Sequence, residues 1–354
     1  MFAPGLVSLV MALVMSAPEA GVPDPSQLAQ TVQRRAAAVA APAAAKPRRV
    51  MSWVPPYATA KTLDALKTLQ GGAGPRHALT HLGLQFWTPT TSGAAIRYST
   101  EGNVGDATVQ QFVYWAHHNG IKAYLCVYNF NDNTQQWDWA WAKKAFTGNN
   151  RATFIAALVL TVERFGLDGV DIDFEGDDPQ GTTGYYNGDR GAYVAFLQAL
   201  RSALNAAGKE LSVDAFPFIY NAPNSGWWAS IFPYVDALTS MGYADLGRNA
   251  PSWQSYRWQV KHAGTFARKL QIGLPSDVDA WQGNNAAQQT AWFLLPEAGR
   301  SGVAIWDAQF KAPAWRQAAV WRNLQVLRTG QPQSTAVARN SGVLSVTPVQ
   351  AGNQ

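Results

Sequence analysis

The stretch FGLDGVDIDFEG, Phe165 to Gly176, places Asp171, Asp173 and Glu175 at every second position and fills the gaps with Val170, Ile172 and Phe174. Successive side chains of an extended strand point to opposite faces, so the three carboxylates line one face and the three apolar groups the other. A strand of this kind, apolar behind and acidic in front, is buried on both sides. Parallel sheets covered by helices contain such strands.

Outward from this strand, short apolar or β-branched runs alternate with longer segments of helical period, the mark of a parallel sheet wrapped by helices. Strands are expected to begin near Val50, Leu79, Ile121, Gly169, Leu211, Asp236, Leu270 and Gly302. Helices are expected over Asp106 to Asn119, Ala152 to Phe165, Arg190 to Ala207 with Gly208 as a stop, and Ala314 to Arg328. Eight such units in series predict an α/β fold of the (β/α)8 TIM-barrel type, with its site at the C-terminal ends of the strands. No Gly-rich phosphate loop follows an early strand, which disfavours an open doubly wound sheet.

The chain has 354 residues, 47% of them hydrophobic and 14% charged, enough apolar material for one large domain. Before position 50, Arg34, Arg35, Lys46, Arg48 and Arg49 face only Glu19 and Asp24, so this segment carries +3 of the formal +5. The remaining body is nearly neutral, so the charge balance does not support an electrostatic nucleic-acid surface, and no nucleic-acid partner is expected. Cys126 is the single cysteine, so an internal disulfide and a thiolate cluster are excluded. It sits in IKAYLCVY and reads as a buried thiol. The histidines show no chelating spacing, and neither a metal nor a cofactor is expected.

Residues 1–20 carry an apolar run, Gly5 to Met15, followed by small residues, and read as a signal peptide for secretion or the periplasm. The run is too short to span a membrane as a helix. Residues 21–48 are an Ala/Pro-rich linker, 49–330 the barrel, and 331–354 a polar tail expected to be disordered. A monomer is expected.

Barrel interiors are normally filled by branched apolar side chains, so three inward carboxylates need compensation. Like charges at this spacing cannot all ionise, and one must hold a proton near neutral pH. An acid kept protonated beside carboxylates is what protonation of a glycosidic oxygen requires. The plainer readings are an acidic turn or a divalent-cation site that includes Asp177 and Asp178. Calcium loops need an irregular backbone, whereas here a strict period of two runs through apolar partners.

DGVDIDFE, Asp168 to Glu175, resembles the DGxDxDxE signature of glycoside hydrolase family 18, the chitinases and their relatives, at every defining position. Weaker similarity covers Val50 to Arg328. THLGLQF resembles the family's second-strand pattern and brings Phe86 to its site-lining aromatic; MGY, Met241 to Tyr243, resembles the sixth-strand M-x-Y; GVAIW places Trp306 at the sugar-stacking tryptophan. The chain departs where CVYN, Cys126 to Asn129, replaces a Ser-x-Gly-Gly run, where Ala244 precedes Asp245 after Tyr243, and where Gly176 follows Glu175. SWVPPYA in the first strand resembles spore-cortex hydrolases of the family.

The resemblance implies a retaining, substrate-assisted glycosidase acting on N-acetylglucosamine polysaccharides, chitin first, with peptidoglycan strands, N-glycan cores or a non-catalytic lectin as alternatives. It makes Glu175 the acid, Asp173 the partner of the 2-acetamido group, Asp171 a sharer of its proton and Tyr243 the holder of the acetamido oxygen. Trp306, Phe86, Trp87, Tyr57 and Met241 would bind substrate. Each aromatic has a packing role as its plainer reading. Asp168, of the other parity, reads as structural. Trp137, Trp139 and Trp141 alternate in QQWDWAWAKKAF and either line the groove or anchor its loop. Only 27 residues separate Leu274 from Gly302, too few for an inserted α+β module, so an open groove and internal cleavage are expected.

Overall fold

A computed structural model describes residues 46–176, 189–215, 218–219, 222–223, 227–242, 252–281 and 283–331. The expected signal peptide and most of the linker and tail lie outside these residues. Among them, eight parallel strands form the barrel: β1 Val50–Val54, β2 His81–Pro89, β3 Lys122–Tyr128, β4 Gly169–Asp173, β5 Glu210–Ala215, β6 Ala237–Ser240, β7 Leu270–Pro275 and β8 Gly302–Trp306, with a ninth strand, Ile96–Tyr98, paired antiparallel to the end of β2. Each of the eight pairs with its neighbours in sequence order, and β1 pairs with both β2 and β8, closing the barrel. All eight begin within two residues of the expected starts.

Helices cover the outside: α1 Thr59–Lys67, α2 Asp106–His118, α3 Trp139–Phe146, α4 Asn150–Phe165, α5 Arg190–Ala206, α6 Ser252–Ala263, α7 Ala286–Trp292 and α8 Ala318–Thr329. Gly208 has φ +67, and Lys209 N–H bonds back to Leu204 O at 2.8 Å, which stops α5 where the glycine predicts. The expected helix from Ala314 is split. Pro313–Arg316 forms a 3-10 turn and Gln317 is extended, so α8 begins only at Ala318. Arg48, read as the linker's end, already bonds Phe293 O at 2.6 Å and Leu327 O at 2.8 Å. Between β7 and β8 lie a two-residue hairpin, α7 and a 3-10 turn.

Alternation along the strands sorts the side chains. Val50, Leu82, Leu84, Leu125, Val170, Ile172, Leu211, Val213 and Leu238 join the apolar layer between barrel and helices. The opposite parity faces inward and supplies Met51, Trp53, Cys126 and Ala304, with Trp306 packed against them. At the N-terminal end the interior is ionic. Glu210 is bonded by Arg49 at 2.8 Å, by Lys122 and Tyr124, and faces His81 at 3.4 Å. Burial pushes the His81 imidazole down to about 4, so it is neutral at physiological pH, and Glu210 is held below the ordinary carboxylate range by hydrogen bonds from His81, Lys122 and Tyr124 and the charge of Arg49, which outweigh its burial.

Candidate active site

Asp171 and Asp173 project from β4 into the barrel, both buried. Phe174 points the other way and packs among Phe146 and Phe154, which holds the strand end and turns Glu175 back toward the interior side, where it is half-buried. Asp171 accepts hydrogen bonds from Trp53 Nε1 at 2.8 Å and Ser212 Oγ at 2.5 Å, and also from the Cys126 thiol. Burial raises its carboxyl above the ordinary range, and these donors offset part of that rise. Asp173 Oδ2 accepts from Gln85 Nε2 at 2.8 Å. Burial first, then the charge of Asp171, pushes Asp173 up to about 7, against hydrogen bonds from Gln85 and Glu175. A proton is therefore shared in this cluster at neutral pH, as the sequence spacing requires.

A third buried acid, Asp214 of β5, adjoins the pair and rises well above the ordinary range, through burial and then through Asp171 and Asp173. Cys126, Asp173 and Asp214 bring ligand-type atoms within 4.8 Å of one another. Burial and three neighbouring carboxylates push the Cys126 thiol well up, so that sulfur keeps its proton and donates it to Asp171. The group is suited to sharing protons; a cation would need the thiolate that this setting suppresses.

Asn129, at the end of β3, is fully buried and grips the main chain of Glu175 twice: its Nδ2 donates to Glu175 O at 2.6 Å, and Glu175 N–H donates to its Oδ1 at 2.8 Å. The CVYN departure thus supplies a thiol to Asp171 and an amide clamp to Glu175. Trp306 is half-exposed at the end of β8, its ring centroid 6.0 Å from that of Trp53. Its carbonyl accepts from Ser276 N–H at 2.6 Å, and the peptide to Asp307 is cis. Tyr57 is half-exposed beyond β1. Its hydroxyl is pushed up to about 12 by burial, then by Asp307, Glu101 and Asp277, which puts it on an acidic rim. Met241 is buried, with the parity of Thr239, and its N–H bonds Ala215 O at 2.9 Å. Tyr243, Asp177 and Asp178 lie outside the described residues.

Two expected substrate contacts are corrected. Phe86 has outward parity and meets Phe112 of α2 edge-on, centroids 5.8 Å apart. Trp87, next in sequence, would point inward, but a register shift between Gln85 and Trp87 turns it outward, against Tyr98 and Phe165. Both rings belong to the layer under the helices. The tryptophans of QQWDWAW fall on two elements: Gln136–Trp137 is one arm of a short hairpin, and Asp138 caps α3 by accepting from Trp141 N–H at 2.9 Å. Trp141 donates to Thr90 O and Trp139 to Asp189, both at 2.9 Å, so these two anchor the loop. Trp137 instead packs edge-on to Tyr128 at the top of β3. Asp168 is structural: it accepts from Ala123 N–H and pairs with His117, each at 2.8 Å.

Sequence reading passed over Trp53, Gln85, Asn129, Ser212 and Asp214. Parity could have found most of them, since LSVDA, Leu211 to Ala215, repeats on β5 the alternation that singled out β4.

A family model described as Glycosyl hydrolases family 18 matches residues 54–343. A curated relative, the uncharacterized glycosylase YvbX of Bacillus subtilis, is 25% identical over 201 residues, 53% of this chain and 56% of its own length. Among solved structures, a chitinase of Chromobacterium violaceum superposes with TM-score 0.57 at 18% identity, covering 78% of this chain and 99% of its own. The spore cortex-lytic enzyme SleL of Bacillus cereus gives TM-score 0.60 at 15% identity, covering 80% and 75%. These structures share the barrel.

Proposed function

We propose that this chain, which belongs to the family 18 glycosyl hydrolases and is a glycosidase, cleaves β-1,4-linked N-acetylglucosamine polymers, chitin first, by substrate-assisted hydrolysis with retention. The observation that carries the reading is the vertical order of the β4 carboxylates. Glu175 is half-buried at the mouth, and directly behind it Asp173 is buried and titrates near 7. Glu175 protonates the glycosidic oxygen while the substrate's acetamido oxygen attacks the anomeric carbon. Asp173 faces the positive charge that develops on the acetamido nitrogen, and preorganised charge of this kind is commonly worth about 3 kcal/mol. Asp171, with its donors, takes up the proton that Asp173 gives away as that cation forms. Tyr243 holds the acetamido oxygen and Trp306 forms the floor under the sugar.

The short β7–β8 connection supports an open groove and internal cleavage. Export from the cytoplasm and a monomeric state complete the proposal; no helix among the described residues is long and apolar enough to cross a membrane.

The test is a panel of chitin oligomers, peptidoglycan strands and high-mannose glycopeptides, with products identified by mass and the anomer read by NMR before mutarotation. Mid-length products of retained configuration from chitin oligomers are expected. Glu175→Gln, which keeps the shape but cannot donate the proton, should bind oligomers without turning them over. Cleavage of peptidoglycan alone, or an inverted product, would overturn the substrate or the mechanism respectively.

A further inference from the structure

The inward positions of β5 are Glu210, Ser212 and Asp214. Glu210 belongs to the ionic floor and Ser212 bonds Asp171. Asp214 has no part in the reaction as described, yet it is only 2% exposed. The β4–β5 register sets Asp171 across from Ser212 and Ile172 across from Val213, which brings Asp214 level with Asp173. On its other side it stands across from Thr239 of β6.

The titratable groups that act on Asp214 from the described elements are Asp171 and Asp173 of β4 and Glu175 beyond them, with Cys126 of β3 close by. All are acids. An ionised Asp214 would add another negative charge to a buried box with no cation among the groups that act on it from the described residues, at a cost that burial makes severe. The donors are also shared unequally. Asp171 accepts from Trp53, Ser212 and Cys126. Asp214 has Thr239 and a side-chain hydrogen bond with Asp171, and its Oδ1 has no hydrogen-bond partner among the described residues. The carboxyl best supplied with donors is the one that ionises; the poorly supplied one keeps its proton and acts as a donor itself.

We propose that Asp214 is a positioning residue of this site: held as the neutral acid, it donates a hydrogen bond to Asp171 and steadies that carboxylate as the anion of the resting cluster. In the resting site the mobile proton is then left to Asp173 and Glu175, the two groups that meet the substrate. An acid in this role resembles in kind the protonated aspartates that other enzymes keep in apolar sites to donate hydrogen bonds. The proposal rests on the reading of Glu175 as the general acid.

Two measurements test it, one of which needs no substrate. Infrared difference spectra between wild type and Asp214→Asn at neutral pH should show one protonated carboxylic-acid carbonyl band lost in the variant. A change confined to carboxylate bands means that Asp214 is ionised and overturns the proposal, whatever the substrate proves to be. Kinetically, Asp214→Ala removes a donor to a charged acceptor and should lower kcat at least about tenfold with little change in KM. Asp214→Asn, which restores an N–H donor of the same shape, should recover most of that loss. It should also leave the alkaline limb of the kcat profile, the titration of Glu175, in place. Removing a nearby charge would instead lower that limb by about one pH unit or more, which refutes a neutral Asp214. Asp214→Ala turning over like wild type refutes the positioning role. A wild type inert on the whole panel refutes the substrate reading, and the infrared result then still decides the state of Asp214.

Discussion

Asn129→Ala isolates how the acid is aimed, because it touches no carboxyl. The amide holds Glu175 by its own main chain through bonds of 2.6 and 2.8 Å, one donated and one accepted. Each such bond contributes roughly 0.5–1.5 kcal/mol net, and Glu175 is exposed enough for water to replace part of the loss, so the fold should lose about 2 kcal/mol. Turnover should suffer more. A catalytic group displaced by about 1 Å can cost a hundredfold in rate, equivalent to about 2.7 kcal/mol. The expected outcome is a kcat lowered about 30- to 100-fold with KM within about threefold, since the stacking surface at Trp306 is untouched. Asn129→Asp should be no milder: it keeps the acceptor for Glu175 N–H but sets an anion against Glu175 O. Steady-state kinetics on a fluorogenic chito-oligosaccharide, with thermal denaturation of the same samples, reads both quantities. A kcat within about threefold of wild type, or a loss confined to KM, would refute the clamp.

Asp173→Asn should lower turnover by about a hundredfold and yet stabilise the fold. Its carboxyl titrates near 7 in the folded chain against an ordinary 3.8, so the folded state binds the extra proton between those values and stability falls as pH rises through them. The variant should therefore gain up to about 4 kcal/mol over wild type at pH 8 and nothing at about pH 3.5; an equal gain at both in chemical denaturation would contradict the buried shared proton. Gly83→Ala should impair the site from behind, because a Cβ there would lie 2.7 Å from Trp53 Cδ1 and 2.8 Å from Met51 Cε, forcing the indole off Asp171. Reduced kcat with a changed tryptophan emission is expected, and an unaltered emission spectrum would show that the indole had not moved.

The barrel was legible because parallel strands buried on both faces are short, apolar and separated by helical segments. Strand starts such as Gly169, Leu270 and Gly302 fall where expected, since a parity break or a glycine marks them. Parity also identified Asp171 and Asp173 as inward and Asp168 as structural. It failed at Trp87, because a register shift adds a residue to one strand without leaving any mark in the pattern. It was silent on Asn129, whose role depends on β3 and β4 ending at the same height, a relation between strands that no single segment encodes. The tryptophans of QQWDWAW left groove lining and loop anchoring open for a third reason: Asp138 starts a helix among them, and which way each indole faces depends on that cap rather than on alternation.

The interior is graded along the barrel axis, and the gradient explains why carboxylates can work inside it. The lowest layer compensates Glu210 with Arg49, Lys122 and Tyr124. Above it Met51, Trp53, Cys126 and Ala304 form an almost dry layer whose only polar hydrogens, the Trp53 indole and the Cys126 thiol, point upward to Asp171. The acids come next, with donors growing scarcer from Asp171 to Asp173, and Glu175 stands at the mouth. A charge that moves upward through this order leaves a well-solvated carboxylate for a poorly solvated one, which is unfavourable until a cationic intermediate arrives above it. The same low dielectric that lifts Asp173 toward 7 in the empty site therefore strengthens its attraction for an oxazolinium ion when one forms. On the proposed mechanism, stability surrendered in the resting barrel reappears as stabilisation of the transition state.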